Sequence, residues 1–152
     1  MHRFLAIGAP LMDYILWVPE EYLQKIKGKK GGMEPVSQQE FLSLMQSSEQ
    51  TPILAAGGSQ ANTLKGLVHL GHECTFVGMV GEDSEGQEYE NIMQKMGIQC
   101  YFQKEKNVTT GGVLCLVTPD GDRTLRTFLG ASAKFDASML KEKHFENIDL
   151  VH

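Results

Sequence analysis

The chain has 152 residues, of which 41% are hydrophobic and 22% charged, a balance that is typical of one globular domain and excludes disorder. The net charge of −5 argues against nucleic acid as a partner. Three cysteines without Cys-x-x-Cys spacing predict the reduced thiols of a cytoplasmic protein, and no apolar stretch is long enough to predict a membrane span.

The first third of the chain alternates between short apolar runs and polar segments. Residues 4–8 are apolar and end in glycine, which predicts a buried first strand. Residues 14–18 are expected to be extended, and residues 19–33 to form an exposed loop. Ser37 and Glu40 form a capping box, which predicts a helix that ends before residue 50.

The middle of the chain predicts a strand, a tight turn, a helix and a second strand. The apolar run 52–56 leads into Gly57 and Gly58, a helical pattern follows, and Gly71 ends it. The free N–H groups at the start of such a helix can hold a ligand rich in oxygen atoms. A plain chain reversal requires the same glycines, so this stretch alone leaves both interpretations open.

The second half continues the alternation and adds a hairpin. Its pattern predicts a strand over 74–80, a helix from a capping box at Ser84, a strand over 98–102, a hairpin over 113–129, a short helix capped by Asp136, and a strand from 148. Strands that alternate with helices favour a doubly wound parallel α/β sheet. Segments 14–50 and 98–129 do not fit the alternation and are expected to be additions on its ligand side.

Three polar positions are candidates for a site on their own chemistry. Asp13 follows the first strand, where ligands of open α/β sheets bind, and its carboxylate can accept hydrogen bonds from two hydroxyls of a sugar. Asn62 lies in the first turn of the predicted helix, where its amide can bond a hydroxyl or cap the turn. Arg123 and Arg126 lie three apart on one strand, so at most one can face a given pocket. A surface aspartate in a turn remains an equal interpretation of Asp13.

Several familiar sites are missing from the sequence. It contains no Gly-x-x-x-x-Gly-Lys-[Ser/Thr] phosphate loop, no Gly-x-Gly-x-x-Gly dinucleotide fingerprint and no His-Glu-x-x-His. His69 and His72 lack the further ligands of a metal centre, and no metal site is predicted.

Residues 57–62, followed by Gly71 and Gly81, resemble the first signature of the PfkB (ribokinase-like) carbohydrate kinases. Residues 8–13 are similar to the family's first-strand motif, which ends in a substrate-binding aspartate. Gln60 and Leu64 stand where the family usually has a small residue. The second half carries further similar segments at 110–111, 118–124 and 129–132, and the long first insert is more similar to adenosine-kinase-type members.

The resemblance implies a Rossmann-like three-layer α/β/α ribokinase fold with a small β-sheet lid, of which residues 1–152 form a single incomplete domain. The lid would be built from residues 14–50 and 98–129. The implied reaction transfers the γ-phosphoryl group of ATP, with Mg²⁺, to a hydroxyl of a sugar or nucleoside. The implied substrate-binding residues are Asp13, Gly57, Gly58 and Asn62, and the implied lid residues are Thr110, Gly111 and Arg123.

The chain departs from the family in its catalytic motifs. The Gly-Ala-Gly-Asp motif that carries the base is absent, and neither Asn91 nor Asn147 begins the Asn-x-x-Glu motif associated with Mg²⁺. No catalytic residue is therefore expected in this chain, the base is expected beyond His152, and ATP and Mg²⁺ are expected to bind mainly through sequence outside these residues. The chain alone is expected to be inactive.

Two other functions stay open at this point. A truncated kinase half could serve as a non-catalytic ligand-binding or assembly module, because an open sheet edge favours pairing. An unrelated nucleotide-binding domain, such as that of a dehydrogenase, is disfavoured by the missing fingerprint. The resemblance also allows a homodimer through the lid strands.

Overall fold

The computed structural model describes all residues from Met1 to His152 as a mixed α/β protein. Its strands are β1 (Arg3–Ile7), β2 (Leu11–Trp17), β3 (Met33–Pro35), β4 (Ile53–Gly57), β5 (Glu73–Gly81), β6 (Ile98–Glu105), β7 (Thr110–Val117), β8 (Arg123–Gly130) and β9 (Leu150–Val151). Its helices are α1 (Glu20–Leu23), α2 (Gln38–Ser47), α3 (Ser59–His69) and α4 (Ser84–Lys95).

Four strands form a parallel sheet in the order β6-β5-β1-β9. Helices α3 and α4 cover one face of this sheet with a core of ten buried residues that includes Leu64, Phe76 and Met93. On the other face the His144 ring packs at 5.2 Å from the Tyr101 ring. The predicted α/β class with a parallel sheet is therefore confirmed.

Five strands form a second sheet in the order β3-β8-β7-β2-β4. β7 and β8 form the predicted hairpin, with Gly121 at a φ of +83° in its turn. β2 pairs in parallel with β7 and antiparallel with β4. Helix α2 covers one face of this sheet, where Phe41 joins Leu16, Leu114 and Leu116 in a second core.

The sheet membership of two strands differs from the expectation. The run 52–56 was expected in the parallel sheet, but β4 pairs with β2 as an edge strand on which Ile53 is 56% exposed. An apolar run predicts a strand and does not say which neighbour it pairs with. Residues 98–129 were expected to form additions, but β6 pairs with β5 over eight positions in the parallel sheet. The two strands flank α4, and such a unit places them side by side.

Local signals at the helix ends had mixed outcomes. Ser37 caps α2 by accepting from the Glu40 N–H at 3.1 Å, as predicted. Helix α4 is capped by Asp83 instead of Ser84, because the Asp83 carboxylate accepts from the Gly86 N–H at 2.8 Å. Asp136 caps only a single turn, and residues 137–144 form two 3₁₀ turns separated by extended backbone instead of a helix.

The predicted exposed loop at 19–33 also contains structure. Helix α1 lies within it, and its Tyr22 is buried in the second core, where its hydroxyl bonds to the Leu44 carbonyl and Ser47 of α2. None of the helices is both long enough and apolar enough to cross a membrane.

Candidate functional site

Asp13 lies in the interior of the five-stranded sheet. It belongs to β2, where its neighbours across the ladder are Ala55 on β4 and Val113 on β7. The next residue, Tyr14, packs its ring edge-on against Phe41 of α2, with ring centroids 5.4 Å apart. Because side chains alternate along a strand, Asp13 points to the face that α2 does not cover. We call this surface the open face.

The open face is mostly apolar. The ladder places Trp17, Ile53 and Leu129 on it, and these side chains are 54%, 56% and 47% exposed. Asp13 is the only acidic residue that the strands present on this face, and Arg123 is the only basic one. A single carboxylate on an apolar surface suits a ligand that combines hydroxyl groups with a flat apolar part.

Gly57 leaves the space that the Asp13 carboxyl group occupies. A Cβ atom added at Gly57 would lie closer than 2.5 Å to all three atoms of that group. Gly58 follows at a φ of +95°, with the Ala9 carbonyl 2.7 Å from the position of an added Cβ. The buried Tyr89 hydroxyl donates to the Gly57 carbonyl at 2.7 Å and fixes this turn. The glycine pair thus shapes a pocket for the carboxylate as well as reversing the chain.

Asn62 lies in the first turn of α3, where its N–H donates to the Gly58 carbonyl at 3.0 Å. Its side chain is exposed and bonded to Lys65, one turn further along the same helix face. The Lys65 ammonium group donates to Asn62 Oδ1 at 3.1 Å and also to the Ala56 carbonyl, which precedes the glycine pair. Lys65 therefore links the strand, the turn and the helix.

The Asp13 carboxylate is held without a hydrogen bond from the protein. Burial raises the pKa of Asp13, and the positive charges of Lys65 and Arg123 act in the opposite direction. Neither cation forms an ion pair with it within 4 Å. A partly buried carboxylate with free lone pairs is prepared to accept hydrogen bonds from a ligand.

The two arginines of β8 are separated as their spacing predicts. Arg123 is exposed on the open face, within electrostatic reach of Asp13. Arg126 is only 2% exposed, and its guanidinium donates to the carbonyls of Lys27 and Leu125.

Thr110 joins the two sheets. Its hydroxyl donates to Asp83 Oδ1 at 2.6 Å and accepts from the Gly81 N–H at 2.9 Å, while its own N–H donates to Asp83 Oδ2 at 2.7 Å. Gly111 is closely packed, because an added Cβ would meet the Leu129 carbonyl and the Leu11 side chain. The Thr110 hydroxyl thus uses its donor and one lone pair for bonds within the protein.

A cavity of about 170 Å³ lies on the other face of β2, lined in part by Tyr14, Phe41 and Phe128. Of the predicted site residues, only the lid residue Thr110 lines it, and none of the predicted substrate-binding residues does. We place the candidate site on the open face, because the unsatisfied carboxylate and the glycine turn lie there. No three His, Cys, Asp or Glu side chains of the chain come together as a metal site.

Three residues of this arrangement escaped the sequence interpretation. Lys65 could have been found, because it lies three residues after Asn62 and therefore on the same helix face. Asp83 was available as a cap immediately before Ser84. The sequence does not indicate that Tyr89 bonds to the glycine turn, since a tyrosine at helical spacing predicts only a core position.

Curated relatives of the chain include two kinases. The adenosine kinase of Saccharomyces cerevisiae is 29% identical over 154 residues, which cover 95% of this chain and 44% of that protein. The aminoimidazole riboside kinase of Salmonella typhimurium is 26% identical over 84 residues, which cover 55% of this chain and 26% of that protein. The chain thus spans less than half the length of these relatives.

Solved structures with the same fold include adenosine kinases. That of Sinorhizobium meliloti superposes with a TM-score of 0.89 at 23% identity, over 99% of this chain and 46% of its own. That of Schistosoma mansoni in complex with adenosine gives a TM-score of 0.86 at 22% identity, over 97% and 45%. These likenesses show that the chain has the N-terminal part of the ribokinase-like fold.

The family model of the pfkB carbohydrate kinases matches residues 35–152, which is most of the chain. The match begins in the five-stranded sheet and includes the glycine turn, Asn62 and Lys65. The resemblance noted in the sequence is confirmed, and the interpretation as an unrelated dehydrogenase domain is wrong. The chain belongs to the pfkB family of carbohydrate kinases.

Proposed function

We propose that this chain supplies the acceptor-substrate site and the lid of a kinase that transfers the γ-phosphoryl group of ATP to a hydroxyl of a nucleoside or sugar. The observation that carries the proposal is the Asp13 carboxylate, which is partly buried over Gly57 and accepts no hydrogen bond from the protein. A vicinal diol offers two O–H donors, which suits the two oxygens of one carboxylate.

Asp13 and the residues around it supply different interactions to a bound hydroxyl. Asp13 accepts from it, the Asn62 amide donates to it, and Gly57 and Gly58 let the backbone approach closely. The five-stranded sheet acts as the lid and contributes the apolar surface of Trp17 to a flat base. We therefore favour a nucleoside over a simple sugar. The adenosine kinases among the relatives support the same choice.

The phosphoryl-transfer side of the reaction is not assigned to these residues. The chain has no glycine-rich phosphate loop, no Gly-Ala-Gly-Asp motif and no cluster of ligands for Mg²⁺. ATP, Mg²⁺ and the base are expected to act through sequence that the relatives have beyond the shared part. We expect the 152-residue chain alone to form no ADP.

The test is ADP formation by the full-length gene product with ATP, Mg²⁺ and a panel of adenosine, ribose and fructose. We expect turnover with at least one acceptor and a loss of kcat/KM of about 100-fold or more in Asp13→Asn, because charged hydrogen bonds contribute about 1.5–3 kcal/mol each. Lys95→Met, at an exposed position of α4, serves as the control and should retain activity.

Two results would count against the proposal. Turnover that Asp13→Asn leaves unchanged would remove Asp13 from the site. If an acceptor binds but no member of the panel leads to ADP formation, the alternative of a non-catalytic binding module is favoured. Trp17, the single tryptophan of these 152 residues, lies on the open face, and its fluorescence reports acceptor binding without a need for turnover.

A further inference from the structure

Lys65 occupies an unfavourable place for a cation. It belongs to α3, yet its ammonium group reaches back to the carbonyl of Ala56, which precedes the helix. The N-terminal end of a helix carries partial positive charge, and the first turn of α3 has no acidic residue to offset it. Burial adds to this cost and lowers the pKa of Lys65. If the Lys65 ammonium group had no role here, the side chain would reach a lower free energy by extending into water.

The geometry of Lys65 fixes the orientation of the Asn62 side chain. An ammonium group has three donors and no acceptor, so only the amide oxygen of Asn62 can face it. Lys65 Nζ lies 3.1 Å from that oxygen. The amide NH₂ is then turned to the opposite side, where it donates to no protein group and stays free for a ligand.

We propose that Lys65 is a positioning residue of the acceptor site, which holds the Asn62 amide so that its NH₂ donates to an acceptor hydroxyl. The inference rests on the proposed function. It gives the site two complementary polar groups, because Asp13 can only accept and the positioned Asn62 donates. A hydroxyl can satisfy both at once, since it has one donor and two lone pairs.

The proposal separates Lys65 from residues that touch the substrate. Its effect passes through Asn62, so removing Lys65 should matter only while Asn62 is present. Binding of the acceptor hydroxyl is needed in the ground state as well as in the transition state, so the loss should appear mainly in KM.

The experiment compares Lys65→Met, Lys65→Arg, Asn62→Ala and the double variant Asn62→Ala/Lys65→Met in the full-length gene product. Acceptor KM and kcat are measured at pH 8, so that Asp13 stays ionised, and Lys95→Met is the matched control. We expect Lys65→Met to raise the acceptor KM about tenfold or more with little change in kcat or in the KM for ATP. Lys65→Arg, which can still donate to Asn62, should recover most of the loss.

The double variant provides the decisive comparison. In the Asn62→Ala background, Lys65→Met should change the acceptor KM by less than about twofold, because residues that act as one unit are not additive. The proposal is overturned if Lys65→Met leaves the KM unchanged in the wild-type background, or if its full effect persists without Asn62. Melting temperatures of all variants are recorded, and Lys65→Leu, which also has no donor, replaces Lys65→Met if the latter does not fold.

The outcome for the wild-type protein distinguishes this inference from the proposed function. If the wild type neither phosphorylates nor binds any acceptor, the proposed function fails and the role of Lys65 fails with it. If the wild type binds an acceptor without turnover, the same variants are compared by acceptor Kd from Trp17 fluorescence. If the wild type is active and Lys65→Met matches it, only the inference about Lys65 is wrong.

Discussion

Replacing Gly57 with alanine tests the geometry of the site with a single methyl group. The added Cβ would lie closer than 2.5 Å to the Asp13 carboxyl atoms, whereas real Cβ contacts are not found below 3.0 Å. The carboxyl group must therefore move by about 1 Å or more to reach ordinary contact. A displaced carboxylate no longer meets the acceptor hydroxyls, although the strand itself remains paired.

The expected magnitudes follow from these contacts. Overpacking of this kind costs about 1–3 kcal/mol of unfolding free energy, and a domain of this size loses about 2–4 °C in Tm per kcal/mol. Loss of one charged hydrogen bond to the acceptor, at about 1.5–3 kcal/mol, weakens binding by roughly 10-fold to 150-fold. The assays are thermal unfolding and acceptor binding by Trp17 fluorescence in the full-length gene product.

Gly66→Ala is the matched control, because it adds the same methyl group to a glycine inside α3, the helix that follows the glycine turn. Nothing lies within 4 Å of an added Cβ at Gly66, which is an exposed position inside α3. Alanine there should raise stability by about 0.5–1 kcal/mol and leave acceptor binding unchanged. In an Asp13→Ala background, Gly57→Ala should lose most of its thermal cost. Wild-type binding by Gly57→Ala, or an undiminished cost without Asp13, would refute the argument.

Three further substitutions probe the groups around the site. Thr110→Val removes the hydroxyl bond to Asp83 and leaves the buried Gly81 N–H without its partner. It should lower Tm by several degrees, at about 1–3 kcal/mol, whereas Thr110→Ser should stay close to wild type in the same melt. Asp13→Asn should raise Tm at pH 7, because burial raises the pKa of Asp13 and so penalises its ionised form. That gain should disappear as pH falls through the raised pKa, and a gain that persists in acid would contradict the assignment. Tyr89→Phe leaves the Gly57 carbonyl without its donor and should lower Tm by a similar amount to Thr110→Val, while an unchanged Tm would show that this bond does not hold the turn.

The sequence predicted most elements, because the glycine stops and the capping serine follow local chemistry. Gly71 and Gly97 end their helices at positive φ, and Ser37 caps α2. The resemblance to the kinase family also implied a second, smaller sheet, and the chain does form two sheets. The local sequence pattern did not predict that β4 belongs to the five-stranded sheet and not to the parallel sheet, because strand pairing depends on neighbours that are distant in the chain.

The candidate site could be predicted in part. Asp13 was expected just beyond the first strand, with a surface turn as the alternative, and the structure places it inside β2 with its carboxyl group over Gly57. The close approach of these two residues depends on the antiparallel pairing of β2 with β4, which the local pattern does not encode. The Thr110–Asp83 contact was missed for the same reason, because it joins residues 27 positions apart.

The central claim is that the Asp13 site binds the diol of an acceptor, whose separate primary hydroxyl then receives the phosphoryl group. The most direct measurement is transfer of label from [γ-³²P]ATP to adenosine by the full-length gene product, with 5′-deoxyadenosine, which lacks the primary hydroxyl, as the control acceptor. The account predicts a labelled adenosine monophosphate from adenosine, none from the deoxy analogue, and a rate that falls about 100-fold or more in Asp13→Asn. Labelling that is equal in Asp13→Asn, or no labelled product from adenosine or any sugar, would contradict it.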